Sequence, residues 1–122
     1  MVVADTLVWI EFLRGSEAVF DRMARSLRSC QLLGIDCIFA ELLQGARMDS
    51  ERREIRAYWE SVPKPADGSR WIEAGEYSGR IRLLDKGISL IDMVIVVTAV
   101  HEGAGLWTLD RKLDAAWKAV RR

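Results

Sequence analysis

Histidine, cysteine and proline are scarce in this 122-residue chain, and no charge sign dominates it. The two cysteines, Cys30 and Cys37, are too few and too far from other candidate ligands to build a zinc site. They read as free thiols of a reducing compartment. With His101 as the only histidine, a Ser/His/Asp mechanism has a single candidate base, which sits where a surface helix cap is expected. Both prolines fall in Val62-Pro63-Lys64-Pro65, so no proline-rich linker divides the chain. Lys+Arg and Asp+Glu number 18 each, which excludes holding nucleic acid by bulk charge, though not nucleic acid as a substrate. The longest apolar stretch, Leu90 to Val100, contains Asp92 and is shorter than the ~20 residues a bilayer requires. Met1 to Ala4 carries no basic lead or apolar signal core. The expectation is one soluble, cytoplasmic domain over residues 1–122, away from membranes.

What the chain does have is alternation. Val2-Val3-Ala4 reads as a buried strand ending at Asp5, followed by a helix from Thr6 to Leu13 that Gly15 stops. A helix from Glu17 to Leu27 comes next, then a candidate strand over Gln31 to Ile35. Asp36 is placed to cap a helix from Cys37 to Ala46, and a charged helix follows over Ser50 to Ser61. A further strand is expected near Val62. Ser69 to Leu84 is amphipathic, with Trp71, Ile72, Tyr77, Ile81 and Leu84 as candidate core positions. Ser89 caps an almost wholly apolar helix, Leu106 to Leu109 reads as a strand ending at Asp110, and Lys112 to Val120 closes as a helix. Short apolar strands alternating with helices predict an α/β fold with a parallel sheet covered on both faces.

Four acids stand where the pattern asks for something else. Asp5 and Asp110 end strands, and ligands of open parallel sheets bind beyond the strands' carboxyl ends. Glu41 lies on or beside the buried stripe of its helix, and Asp92 sits in the first turn of the apolar helix. Each also has an ordinary role available. Asp5 and Asp110 are placed to cap helices, Ser89-x-x-Asp92 has capping-box spacing, and Glu41 has arginines to pair with. If the four converge, their repulsion calls for a divalent cation, and an all-oxygen ligand set suits Mg²⁺ or Mn²⁺.

Four segments together, Val3-Ala4-Asp5-Thr6-x-x-Trp9-Ile10-Glu11-Phe12-Leu13, Glu41-Leu42-Leu43-x-Gly45, Leu90-x-Asp92-x-x-Ile95 and Thr108-Leu109-Asp110, closely resemble the PIN-domain ribonucleases, and among them the VapC-type toxins of toxin–antitoxin pairs. The resemblance implies a three-layer α/β/α PIN-like fold with a central parallel sheet of four or five strands. It also implies a metal-dependent endoribonuclease using one or two Mg²⁺ or Mn²⁺ ions and leaving 5′-phosphate and 3′-hydroxyl ends. Asp5, Glu41, Asp92 and Asp110 match the family's acidic quartet, and Thr6 and Thr108 its hydroxyl positions. Asp114 falls near a further family acid, but the usual Asp-Phe pair appears here as Lys112-Leu113, which leaves Asp114 a supporting role. Many relatives end in an edge strand where Ala115 to Val120 reads as helix. The implied partners are RNA, a protein antitoxin whose arm crosses the active site, and a second copy of the chain. Trp9 and Phe12 are candidates for core or interface.

RNA also has to be held. Arg22, Arg25 and Arg28, then Arg52, Arg53 and Arg56, are candidate phosphate contacts, with solvated helix faces the plainer reading. Arg111 and Lys112, next to Asp110, are the stronger candidates. Two rival functions remain: a non-catalytic binding module on a degenerate scaffold, in which the acids only cap helices, and a metal-dependent DNA nuclease.

Overall fold

Val2–Ala4 forms strand β1, in which Val3 and Ala4 are buried, and Asp5 turns the chain directly into helix α1 (Thr6–Leu13). The computed structural model describes residues 1–82 and 86–122. Helices α2 (Glu17–Arg28), α3 (Asp36–Gly45), α4 (Asp49–Ser61), α5 (Trp71–Arg80) and α6 (Leu90–His101) follow. Strand β2 (Gly105–Trp107) and helix α7 (Arg111–Val120) complete the described elements. β1 and β2 pair in parallel, with Val2 opposite Gly105, Val3 opposite Leu106 and Ala4 opposite Trp107.

The expected central sheet of four or five strands is not what the chain builds. Among the described residues the sheet has two strands, and the molecule is mostly helical. The segment Gln31 to Ile35 begins as a neighbour of β1. Val2 N–H donates to Gln31 C=O (2.8 Å) and Leu33 N–H to Val2 C=O (2.9 Å), which makes one parallel bridge at Leu32. The ladder stops there because Gly34 N–H turns to Pro63 C=O instead (2.7 Å), while Asp5 and Asp36 each lead their segment into a helix. Val62 is buried as the C-cap of α4 but forms no strand, and Pro63 has no N–H to extend a ladder. The last strand is also shorter than expected, since Thr108 and Leu109 lie beyond it.

The helical expectations for α1, α2, α4, α6 and α7 agree with the structure to within a residue or two at their ends. Helix α3 starts at Asp36 itself, with Ile35 at the cap position. Helix α5 is turned differently from its expected pose. Ala74 is its buried residue, whereas Trp71, Ile72 and Ile81 are exposed and Tyr77 is half-buried. Leu84 lies outside the described residues. Helix α5 packs against α6 with Ala74 as its buried residue and Tyr77 half-buried against the core.

Helix α6 is the centre of the molecule. Met93 to Ala99 are all buried, and α6 packs against α5, α7, α3 and both strands. A second part of the core is aromatic: Trp9 meets Phe12, Phe39 and Tyr58 at ring separations of 6.0, 5.0 and 5.5 Å. Trp9 and Phe12 are therefore core rather than interface. No helix among the described residues is long and apolar enough to cross a membrane.

Candidate active site

The parallel pairing of β1 and β2 brings their carboxyl ends side by side, which is the condition for Asp5 and Asp110 to share a crevice. Asp5 is 4% exposed. Its carboxylate accepts the Val8 N–H (3.0 Å), capping α1, and the hydroxyl of Thr108. Thr108 Oγ1 in turn accepts the Asp110 N–H (3.0 Å), so one hydroxyl ties the two aspartates together. Asp110 Oδ1 accepts from Lys112 N–H (2.8 Å) and Leu113 N–H (3.4 Å) and so caps α7.

Asp92 completes the capping box of α6: Ser89 N–H donates to its Oδ2, and its own N–H donates to Ser89 Oγ, both at 3.1 Å. Burial pushes the Asp5 carboxyl above the usual carboxylate range, and the charges of Asp110 and Asp92 push it further. The hydrogen bonds from Thr108 and Val8 only partly offset this rise. The charges of Asp92 and Asp110 thus both bear on Asp5.

Glu41 has a partner other than the arginine expected for it. Its Oε1 accepts the hydroxyl of Thr6 (2.7 Å), the residue that follows Asp5 and opens α1. The Asp5-Thr6 junction thus holds two hydrogen-bonded pairs, Asp5 with Thr108 and Thr6 with Glu41. Glu41 also lines a cleft of about 400 Å³ shared with α1 and α4, where Ile10, Leu13, Leu42 and Ile55 provide apolar surface beside Arg14, Glu51 and Glu54. The sequence reading missed this cleft. Its only trace there is the set of apolar residues that helices α1, α3 and α4 point at each other.

Compared with known proteins, the chain matches no family model and no curated sequence. What can be said of the site comes from its own residues.

Among the described residues, no three His, Cys, Asp or Glu side chains stand close enough together to grip one metal ion. The acids are arranged as linked pairs, not as a closed cage. Their chemistry nevertheless fits a hard divalent cation: every donor is an oxygen, and Asp5 has a charge raised in cost by two acidic neighbours with no cation among its hydrogen-bond partners.

Asp114 pairs with Lys118 one turn along α7 (2.8 Å), so it is engaged on its own helix. Arg111 and Lys112 are exposed at the start of α7. Arg22 stacks over the Trp107 ring at 4.0 Å, and Arg52 is taken up by Asp49 (2.8 Å) and the Ala46 carbonyl (3.0 Å). Arg25, Arg28, Arg53 and Arg56 lie exposed on α2 and α4. His101 is exposed at the end of α6 with its Nε2 3.4 Å from Asp67. Cys30 and Cys37 are free, and burial, helped by the charges of Asp36 and Glu41, pushes the Cys37 thiol up to about 12.

Proposed function

We propose that this chain is a metal-dependent endoribonuclease of the PIN-domain, VapC-type kind, the toxin of a toxin–antitoxin pair acting in the cytoplasm. The observation that carries the reading is Asp5: a buried carboxylate at the joint end of two parallel strands, tied through Thr108 to Asp110, and raised first by its burial and then by the charges of Asp110 and Asp92. Burying an acid among acids costs stability, and a role at the site accounts for its presence. The motif resemblance supplies the reaction class.

In this reading Asp5, Glu41, Asp92 and Asp110 are the residues that would hold Mg²⁺ or Mn²⁺. When bound, one or two such ions supply a water of lowered pKa and neutralise charge that develops on the phosphate. The chain's own part is positional. Thr108 fixes Asp5, Thr6 fixes Glu41, and the caps of α6 and α7 fix Asp92 and Asp110, so the ligands are oriented before substrate arrives. Water attacks phosphorus, the bond to the 3′ oxygen breaks, and that oxygen leaves with a proton. No side-chain nucleophile is needed: the Cys37 thiol is held protonated, and His101 is occupied near Asp67. Arg111 and Lys112 contact the RNA backbone. An antitoxin arm bearing a basic residue would lie along the cleft beside Glu41, and a second copy of the chain completes a homodimer.

Incubation of the protein with labelled RNA and DNA in Mg²⁺, Mn²⁺ or EDTA, beside Asp5→Asn and Asp92→Asn, tests the reading. RNA cleavage that requires metal and is lost in both variants is the expected result. Cleavage in EDTA, or variants as active as the parent, would sink the mechanism, and cleavage of DNA alone would favour a DNA nuclease. A second reading has its own support. Asp5, Asp92 and Asp110 each cap a helix, as a non-catalytic binding module would require, and no cleavage of either nucleic acid would leave that reading standing.

A further inference from the structure

Lys112 adjoins Asp110 through its backbone, and its side chain reaches the turn at Gly87. Its N–H donates to Asp110 Oδ1 (2.8 Å), which fixes the residue beside that carboxylate. The side chain then spans to the turn that precedes α6. A methyl group on Gly87 would stand 3.0 Å from Lys112 Nζ and 4.0 Å from its Cδ and Cε. Gly87 has a φ of +77°, a conformation that side chains other than Asn and Asp rarely adopt. Two residues on, the Ser89 N–H holds Asp92. The ammonium therefore lies between the element that carries Asp110 and the one that carries Asp92.

Among the described residues Lys112 makes no ion pair, in contrast with Lys118 on the same helix, which is paired with Asp114. Its ammonium is the part of the side chain nearest Gly87, and the residue as a whole is exposed. An anionic polymer approaching four acids meets repulsion, and a lysine seated at the edge of that field gives it a point of attachment. A lysine is a compact point charge with three donors, suited to a phosphate oxygen whatever the base.

We propose that Lys112 anchors a backbone phosphate of the nucleic-acid strand next to the one being cut, and that Gly87 is the positioning residue that seats its ammonium. The inference rests on the nuclease reading, which already puts Lys112 on the RNA backbone, and deepens it by assigning that contact to one neighbouring phosphate and by naming the turn that aims the side chain.

The test is binding of a fluorescein-labelled, mixed-sequence single-stranded RNA in EDTA across a KCl series, followed by fluorescence anisotropy. The proteins compared are the parent, Lys112→Met, Lys112→Arg, Gly87→Asn and the double variant Gly87→Asn/Lys112→Met. Asparagine tolerates the positive φ while adding a side chain, and thermal melts confirm that each variant folds. Lys112→Met should weaken binding about tenfold, the loss of one charge-assisted contact. It should also flatten the slope of log affinity against log salt by about 0.7, one contact to a single strand. Lys112→Arg should keep the slope. Gly87→Asn should resemble Lys112→Met, and the double variant should bind no more weakly than Lys112→Met alone. In Mg²⁺ the same substitution should raise KM for RNA cleavage and leave kcat near the parental value. A parental salt slope in Lys112→Met, or a parent that binds no RNA, overturns the anchor, and additive losses in the double variant overturn the role of Gly87. RNA binding that depends on Lys112 without any cleavage would sink the nuclease reading and spare the anchor.

Discussion

Asp5 contributes to the fold in two opposite ways, because its hydrogen bonds stabilise α1 while its charge sits buried beside Asp110 and Asp92. Its carboxyl is raised above the usual range, so the folded chain binds this proton more tightly than the unfolded chain does. The stability this group contributes is therefore complete below the ordinary carboxylate pKa of about 4 and is lost as pH climbs through the raised value. Asp5→Asn keeps an acceptor for Val8 and has no charge to lose. Its melting temperature in EDTA, measured over a pH series, should move upward relative to the parent between acid and neutral pH. Asp5→Ala, which lacks the cap, should be about 1 kcal/mol less stable than Asp5→Asn at every pH. A parent that gains on Asp5→Asn as pH rises would mean that the charge is held favourably after all. At this scale the sequence exposed the helix caps of Asp5, Asp92 and Asp110 but not which carboxylate each threonine would hold. Capping spacing identified Asp92 with Ser89, whereas the bond from Thr6 to Glu41 joins residues of α1 and α3, and no local pattern announces it.

Among the elements, the link between Gly34 and the Val62-Pro63 segment does the work that a longer ladder was expected to do. Gly34 is buried, its N–H is bound to Pro63, and a methyl group there would stand 2.4 Å from Val62 Cγ2. Gly34→Ala should lower stability by about 1–3 kcal/mol through overpacking, read from urea denaturation midpoints. A midpoint equal to the parent's would show that the segment after α4 yields freely. Helices were largely legible because their signals are local: Ser89 with Asp92, Asp110 ahead of α7, Gly15 after α1. The sheet was not. An apolar run such as Gln31 to Ile35 states only that it will be buried, and whether it extends a ladder depends on where Gly34 finds its acceptor, on a segment far along the chain. Helix α5 misled for a related reason. Its large apolar residues suggest an inward face, yet the residue it buries is Ala74.

The balance of 18 basic and 18 acidic residues conceals an uneven distribution over the whole molecule. Asp5 and Asp110 follow the two strands, Asp92 lies in the first turn of α6 and Glu41 on α3, and without these four the remaining charges are slightly basic in balance. A second unevenness is apolar: Ile72 is 78% exposed, with Trp71 exposed beside it on α5 and Ile81 exposed just past the helix end. If the proposed homodimer forms through α5, Ile72→Asp should shift sedimentation from dimer to monomer with the melting curve little changed. A parent that sediments as a monomer at all concentrations would remove the dimer from the reading. Helix α6 carries Asp92 on its first turn and is otherwise enclosed by α3, α5, α7 and the strands. A helix so surrounded cannot tilt or slide without disturbing the core around it, so the backbone that carries Asp92 is held in place by its neighbours. Control over that acid accordingly falls to what arrives from solvent: an ion, a phosphate, or a side chain offered by another protein.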